Sequence, residues 1–93
     1  MPKRKNYDYR MIKIGDLLRE KRLAISKESR ESFIEERSKT MFGDDDWISL
    51  RYLANIESGN NLPSIEMLIK LAIAYETDPV ELFESIYEIL YDK

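Results

Sequence analysis

Ile48-Ser49-Leu50-Arg51-Tyr52-Leu53-Ala54-Asn55-Ile56-Glu57-Ser58-Gly59 decides how this chain is read. The stretch has a start, a stop and a two-faced middle. Ser49 is placed to cap a helix by accepting a hydrogen bond from an orphan backbone N–H. Gly59 is suited to the left-handed conformation that closes a helix C-terminus. Leu53 and Ile56, three apart, face inward, and Leu50, Arg51, Asn55 and Ser58 are left to point outward. A helix this short is not stable alone. The pattern therefore predicts a helix held against a body, with its polar face presented to something else.

Working outward, residues 1–9 read as a basic arm with a Lys3-Arg4-Lys5 cluster, and residues 10–93 as one domain. A helical period runs from about Arg10 to Ala24 through Ile14, Leu17 and Leu18, with Lys21 and Arg22 near its end, where cations complement the helix dipole. Ser26 and Ser29 are both candidate caps for a second helix. Ser29 is preferred because it sets Phe33 at the usual first core position, ahead of a weak stripe of Ile34, Arg37 and Met41. Gly43-Asp44-Asp45-Asp46 reads as an acidic turn. Past Gly59, Asn60 and Asn61 lead through Pro63 to Ser64, the expected cap of a helix over Ile65–Tyr75. Apolar residues fill most of its circumference, which predicts a central, buried helix. Asp78, Pro79 and Glu81 then have the spacing of a capping box that opens a last helix over 79–91.

Composition narrows the classes. Ninety-three residues suffice for one modest core. No apolar run approaches the roughly 18 residues needed to span a bilayer. The chain has no cysteine and no histidine. A disulfide framework, a thiolate zinc site and the commonest general base are thereby excluded. The expectation is a cytoplasmic protein that is not an enzyme and has no cofactor and no metal. The net charge of −3 hides a gradient. Residues 1–30 hold ten Lys/Arg against four Asp/Glu, residues 31–60 three against seven, and residues 61–93 two against seven. A basic front and acidic back suit a protein that sets one end on a polyanion.

The series Ser49-x-x-x-Leu53-x-x-Ile56-Glu57-x-Gly59, followed by Pro63 and a long apolar helix, resembles the recognition element of phage-repressor-like (Cro/repressor, Xre) DNA-binding proteins. The resemblance covers roughly Ile14 to Phe83. It implies an all-α, five-helix, lambda-repressor-like helix-turn-helix domain. It also implies a partly buried fork between Arg22 and Glu57, and a phosphate contact from Arg30, which fills a slot commonly held by glutamine. The residues matching base readers are Leu50, Arg51, Ala54 and Asn55. Arg51 suits guanine O6/N7, Asn55 an adenine edge or a phosphate, and Leu50 and Ala54 thymine methyl groups. Ser49, Tyr52, Asn60 and Asn61 are expected on the backbone, with Lys3, Arg4 and Lys5 reaching along it or into a minor groove.

The chain departs from the family in a lengthened connection between the second helix and the recognition helix, an insertion of roughly ten residues around 39–47. Either the second helix is longer and the acidic turn points away, or DNA binding is weakened. Trp47 is expected to plug the core. One short helix reads few bases, so a homodimer on a palindromic operator, with autoregulation, is the expected mode. Leu82 and Phe83 are expected to close the core. The dimer interface is expected over Phe83, Ile86, Tyr87, Leu90 and Tyr91 of the last helix. The alternative is an antitoxin or interaction module on the same fold, with a toxin or polymerase as protein partner.

Overall fold

Hydroxyl and carboxylate caps divide the chain into five helices. The computed structural model describes residues 8–91. Its helices are α1 (Tyr9–Ile25), α2 (Arg30–Met41), α3 (Leu50–Glu57), α4 (Ile65–Ala74) and α5 (Pro79–Tyr91). Three serines open the middle helices: Ser29 accepts from the N–H of Ser32 at 3.1 Å, Ser49 from Tyr52 at 3.0 Å and Ser64 from Met67 at 3.1 Å. Asp8 and Asp78 accept from Arg10 and Val80 at the starts of α1 and α5. Each bond satisfies a donor that the helix itself leaves unpaired. Ser29 is thus the cap of α2, and Ser26 ends α1. Among the described residues Glu81 makes no return bond, so the box at α5 is half formed. The Lys3-Arg4-Lys5 cluster lies outside the described residues.

The core joins Ile14 and Leu18 of α1, Phe33 of α2, Leu53 and Ile56 of α3, Leu68 and Leu71 of α4, and Leu82 and Ile86 of α5. Burial of side chains of this size stabilises the fold by about 1.5–3 kcal/mol each. Gly59, at φ +85°, closes α3, and a Cβ there would lie 2.9 Å from the Cα of Ile12. Arg37 is buried and bolts α2 to the end of α4. Its Nε donates to the carbonyl of Ala74 at 2.7 Å, and its guanidinium lies over the Phe33 ring.

The connection ahead of α3 is shorter than the expected insertion, because Lys39, Thr40 and Met41 continue α2. The loop itself is Phe42 to Ser49. Gly43 and Asp44 take positive φ to turn the chain, the Asp44 N–H donates to the Ser38 carbonyl, and the Ser38 hydroxyl donates to the Asp45 carbonyl at 2.7 Å. Trp47 anchors the far side. It stacks on Phe42 with centroids 4.6 Å apart, meets Phe33 edge-on, and its Nε1 donates to the Ile34 carbonyl at 3.1 Å.

α4 corrects one expectation. Leu68, Leu71, Ala72 and Ala74 face the core, but Ile65, Ile69 and Ile73 stand four apart in an exposed row, each at least 40% exposed. Among the described residues α4 runs closest to α5 and α2, and one apolar stripe is left over. Among the described residues no helix is long and apolar enough to cross a membrane.

Candidate nucleic-acid interface

α3 is fixed from beneath. Leu53 and Ile56 are essentially inaccessible, and its last residue, Glu57, is buried too. The Glu57 carboxylate meets Arg22 of α1 in a two-bond fork, Nε to Oε2 at 2.7 Å and Nη2 to Oε1 at 2.9 Å. Both side chains are 5% exposed or less. This hydrogen bonding, with the attraction of the carboxylate, raises the Arg22 pKa further above its ordinary value, so the guanidinium stays charged at every practical pH. Tyr75 lies deep in the same neighbourhood, stacked on Phe33. Burial pushes its phenol pKa well up, and its hydroxyl has no hydrogen-bond partner among the described residues.

With that underside fastened, the opposite face of α3 is available. Leu50 and Arg51 are exposed, and Ala54 and Asn55 half-exposed. Ser58, Asn60 and Asn61 continue the exposed surface past the helix end. The Ser49 hydroxyl already accepts the capping bond, which leaves its own O–H as a donor. Tyr52 is half-buried and packs against the core, so part of its ring is committed to structure. The backbone N–H groups of Asn60 and Asn61 both donate to the Asn55 carbonyl, which leaves their side chains free to face outward.

Arg30 differs from the simple phosphate contact expected of it. It is the first residue of α2, and its Nε donates to Glu57 Oε1 at 2.8 Å. One carboxylate thereby joins three helices. Sequence spacing carries no sign of this second partner, because Arg30 and Glu57 are brought together only by the crossing of α2 and α3.

The acidic turn does not point away from α3. Asp44, Asp45 and Asp46 line one groove with Glu31, Glu35 and Lys39 of α2, five carboxylates against one ammonium, and its wall includes Leu50, the first residue of α3. The two glutamates follow from α2 geometry, since residues 31 and 35 share a helix face. The lengthened connection thus lays negative charge beside the start of the presented helix.

On the far side, the interface expected on α5 is only partly exposed. Ile86 is 5% exposed and belongs to the core, because it lies one turn from Leu82 on the buried stripe. Phe83 and Leu90 are half-buried. Tyr87 and Tyr91 stand out, their rings 5.1 Å apart. They share a shallow apolar groove with Ile65 of α4, floored by Leu68 and Ile86.

A protein-family model described as helix-turn-helix matches residues 35–82, from the middle of α2 to the start of α5. Comparison with curated proteins and with solved structures returned no significant match.

Proposed function

The chain belongs to the helix-turn-helix family of Cro/repressor, Xre-like type, and from that membership we propose a sequence-specific transcriptional regulator that binds a palindromic operator as a homodimer in the cytoplasm. The family is one of DNA-binding regulatory domains, not typically enzymatic. The observation that carries the finer reading is a helix anchored by Leu53, Ile56 and the Arg22–Glu57 fork, with Leu50, Arg51 and Asn55 on its accessible face. Rigid support beneath and polar reach above are what base reading requires. In this reading Arg51 addresses guanine, Asn55 adenine, and Leu50 and Ala54 thymine methyl groups. Ser49, Tyr52, Asn60, Asn61 and the Lys3-Arg4-Lys5 arm hold the backbone.

The dimer contact in this reading is the apolar surface of Tyr87, Leu90 and Tyr91, extended by Ile65. A symmetric pair would set two α3 helices on successive half-sites. Occupancy then follows protein concentration, which suits a regulator of its own gene. The test is fluorescence anisotropy on the chain's own upstream DNA against a scrambled duplex, at two salt concentrations, with Arg51→Ala alongside. Selective, salt-sensitive binding that Arg51→Ala abolishes is the expected result. Binding without selectivity would sink the base-reading assignment.

A second reading has its own support. The groove of Glu31, Glu35 and Asp44–Asp46 beside Leu50 is unfavourable to DNA and favourable to a basic protein surface. An antitoxin or interaction module would use it. Absence of DNA binding at low salt, with a basic partner recovered by pull-down, would favour this reading.

A further inference from the structure

The Glu57 carboxylate holds two guanidiniums, and the two are not equivalent. Arg22 spends Nε and Nη2 on Glu57 and is buried. Arg30 spends only Nε, at 2.8 Å, and its side chain is 36% exposed. Its two terminal amino groups make no hydrogen bond among the described residues. Two positive groups on one negative group also leave the cluster with one net positive charge, at the accessible edge where Arg30 stands.

A guanidinium is planar, with five N–H donors in a fixed fork. Fixing Nε therefore fixes the direction of the amino groups at the other end. Most exposed arginines must give up rotamer freedom when they meet an anion, and one already tethered gives up less. A free carboxylate of Glu57 would cancel the charge of Arg30, but this carboxylate is already matched by Arg22. Arg30 is thus held in place without being neutralised.

We infer that Glu57 is a positioning residue for the DNA backbone. It clamps Arg30 through Nε so that the two terminal amino groups of Arg30 are presented, aligned and charged, to one phosphate of the duplex. The inference rests on the DNA-binding reading above, and gives Glu57 a second role beside tying α1 to α3. It also explains how an arginine serves at the start of α2 without sweeping through solvent.

A phosphate contact is independent of sequence, so the test needs no operator. Affinity for a fixed 24-base-pair duplex of arbitrary sequence is measured between about 25 and 200 mM salt, a range over which phosphate contacts dominate binding. The proteins compared are wild type, Arg30→Ala, Arg30→Lys, Glu57→Asp and the double variant Arg30→Ala/Glu57→Asp, each checked for folding by circular dichroism. Arg30→Ala should weaken binding roughly three- to tenfold and lower the slope of log affinity on log salt by about 0.9 for each protomer bound, one phosphate's worth. Arg30→Lys should restore the slope but only part of the affinity, because an ammonium lacks the planar fork. Glu57→Asp keeps the charge and withdraws it by one methylene. It should weaken DNA binding in the wild-type background and add nothing to Arg30→Ala. If the aspartate variant does not fold, the slopes of Arg30→Ala and Arg30→Lys decide whether Arg30 holds a phosphate or serves as a strut.

A lower Tm for Arg30→Ala with slope and affinity unchanged would make Arg30 a strut and overturn the inference. So would equal Glu57→Asp losses in both backgrounds. Both outcomes leave the DNA reading standing. Wild type that binds no duplex even at 25 mM salt would fail that reading itself, and the inference with it.

Discussion

Gly15 lets α1 lie directly on the end of α3: a Cβ at this position would stand 2.6 Å from the carbonyl oxygen of Glu57 and 2.8 Å from that of Ile56. Both obstacles are backbone, so neither can swing aside. Alanine would add up to about 1 kcal/mol of helix propensity in α1. The overlap outweighs this, because forcing extra volume into a close-packed contact costs about 1–3 kcal/mol. Gly15→Ala is expected to lower stability, and chemical denaturation would show it as a reduced midpoint at unchanged slope.

Arg22→Ala would strip Glu57 of its two-bond partner. Breaking a buried pair by removing one member costs about 3–5 kcal/mol, because the other charge stays behind. Arg30 still reaches Glu57, so the lower end of that range is expected. Replacing both members together, Arg22→Met with Glu57→Leu, should cost less than either change alone. A double-mutant cycle on thermal unfolding measures the difference.

Trp47 is the single tryptophan of the chain, buried against Phe33 and Phe42. Trp47→Phe retains the stacking and loses the bond to the Ile34 carbonyl, at about 0.5–1.5 kcal/mol plus the volume removed. Trp47→Ala should cost about 3–5 kcal/mol and loosen the loop leading into α3. Hydrogen exchange of the N–H groups of Trp47 and Tyr52 would report the loosening directly.

Asp44, Asp45 and Asp46 lie beside Leu50, where a DNA backbone would be repelled. Changing all three to asparagine is expected to raise duplex affinity by on the order of tenfold at low salt, chiefly through faster association. The gain should shrink once the Debye length falls below about 8 Å. Asparagine also tolerates the positive φ at Asp44, so folding should not suffer. Stopped-flow association rates at two salt concentrations test the point.

Tyr87→Glu with Tyr91→Glu places two charges on the apolar groove shared with Ile65. Under the proposed homodimer the change should produce a monomer with little loss of stability, since both residues are more than 60% exposed. Sedimentation velocity decides it, and an unchanged oligomeric state would remove α5 from the interface.

What the residues disclose on their own is mostly local. Ser29, Ser49, Ser64 and Pro79 mark helix starts because capping depends on neighbours a few positions away. Gly59 marks a stop for the same reason. The inward pair Leu53 and Ile56 is legible because a short helix with two apolar positions three apart has one way to bury them. Ile65, Ile69 and Ile73 are not legible in this way. Their apolar character says that cover would be favourable, but not whether a neighbouring helix supplies it. Ile86 shows the converse, since it looks like surplus surface until α5 is seen to turn that stripe inward. The site divides likewise: the outward face of α3 can be read along the chain, whereas the Arg30–Glu57 bond and the carboxylate-lined groove arise from where helices cross.

The three-helix carboxylate has a practical corollary for how the chain can be cut. Glu57 lies inside residues 35–82, the segment matched by the family model, but both of its cationic partners, Arg22 and Arg30, lie before that match begins. So do Ile14, Leu18, Gly15 and Phe33. A peptide trimmed to the matched part would keep α3 and strand a naked anion on its underside, without the core side chains that α1 and Phe33 supply. The shortest autonomous unit is therefore set by chemistry upstream of the matched segment, and expression boundaries belong at or before Asp8, whose side chain caps the first helix.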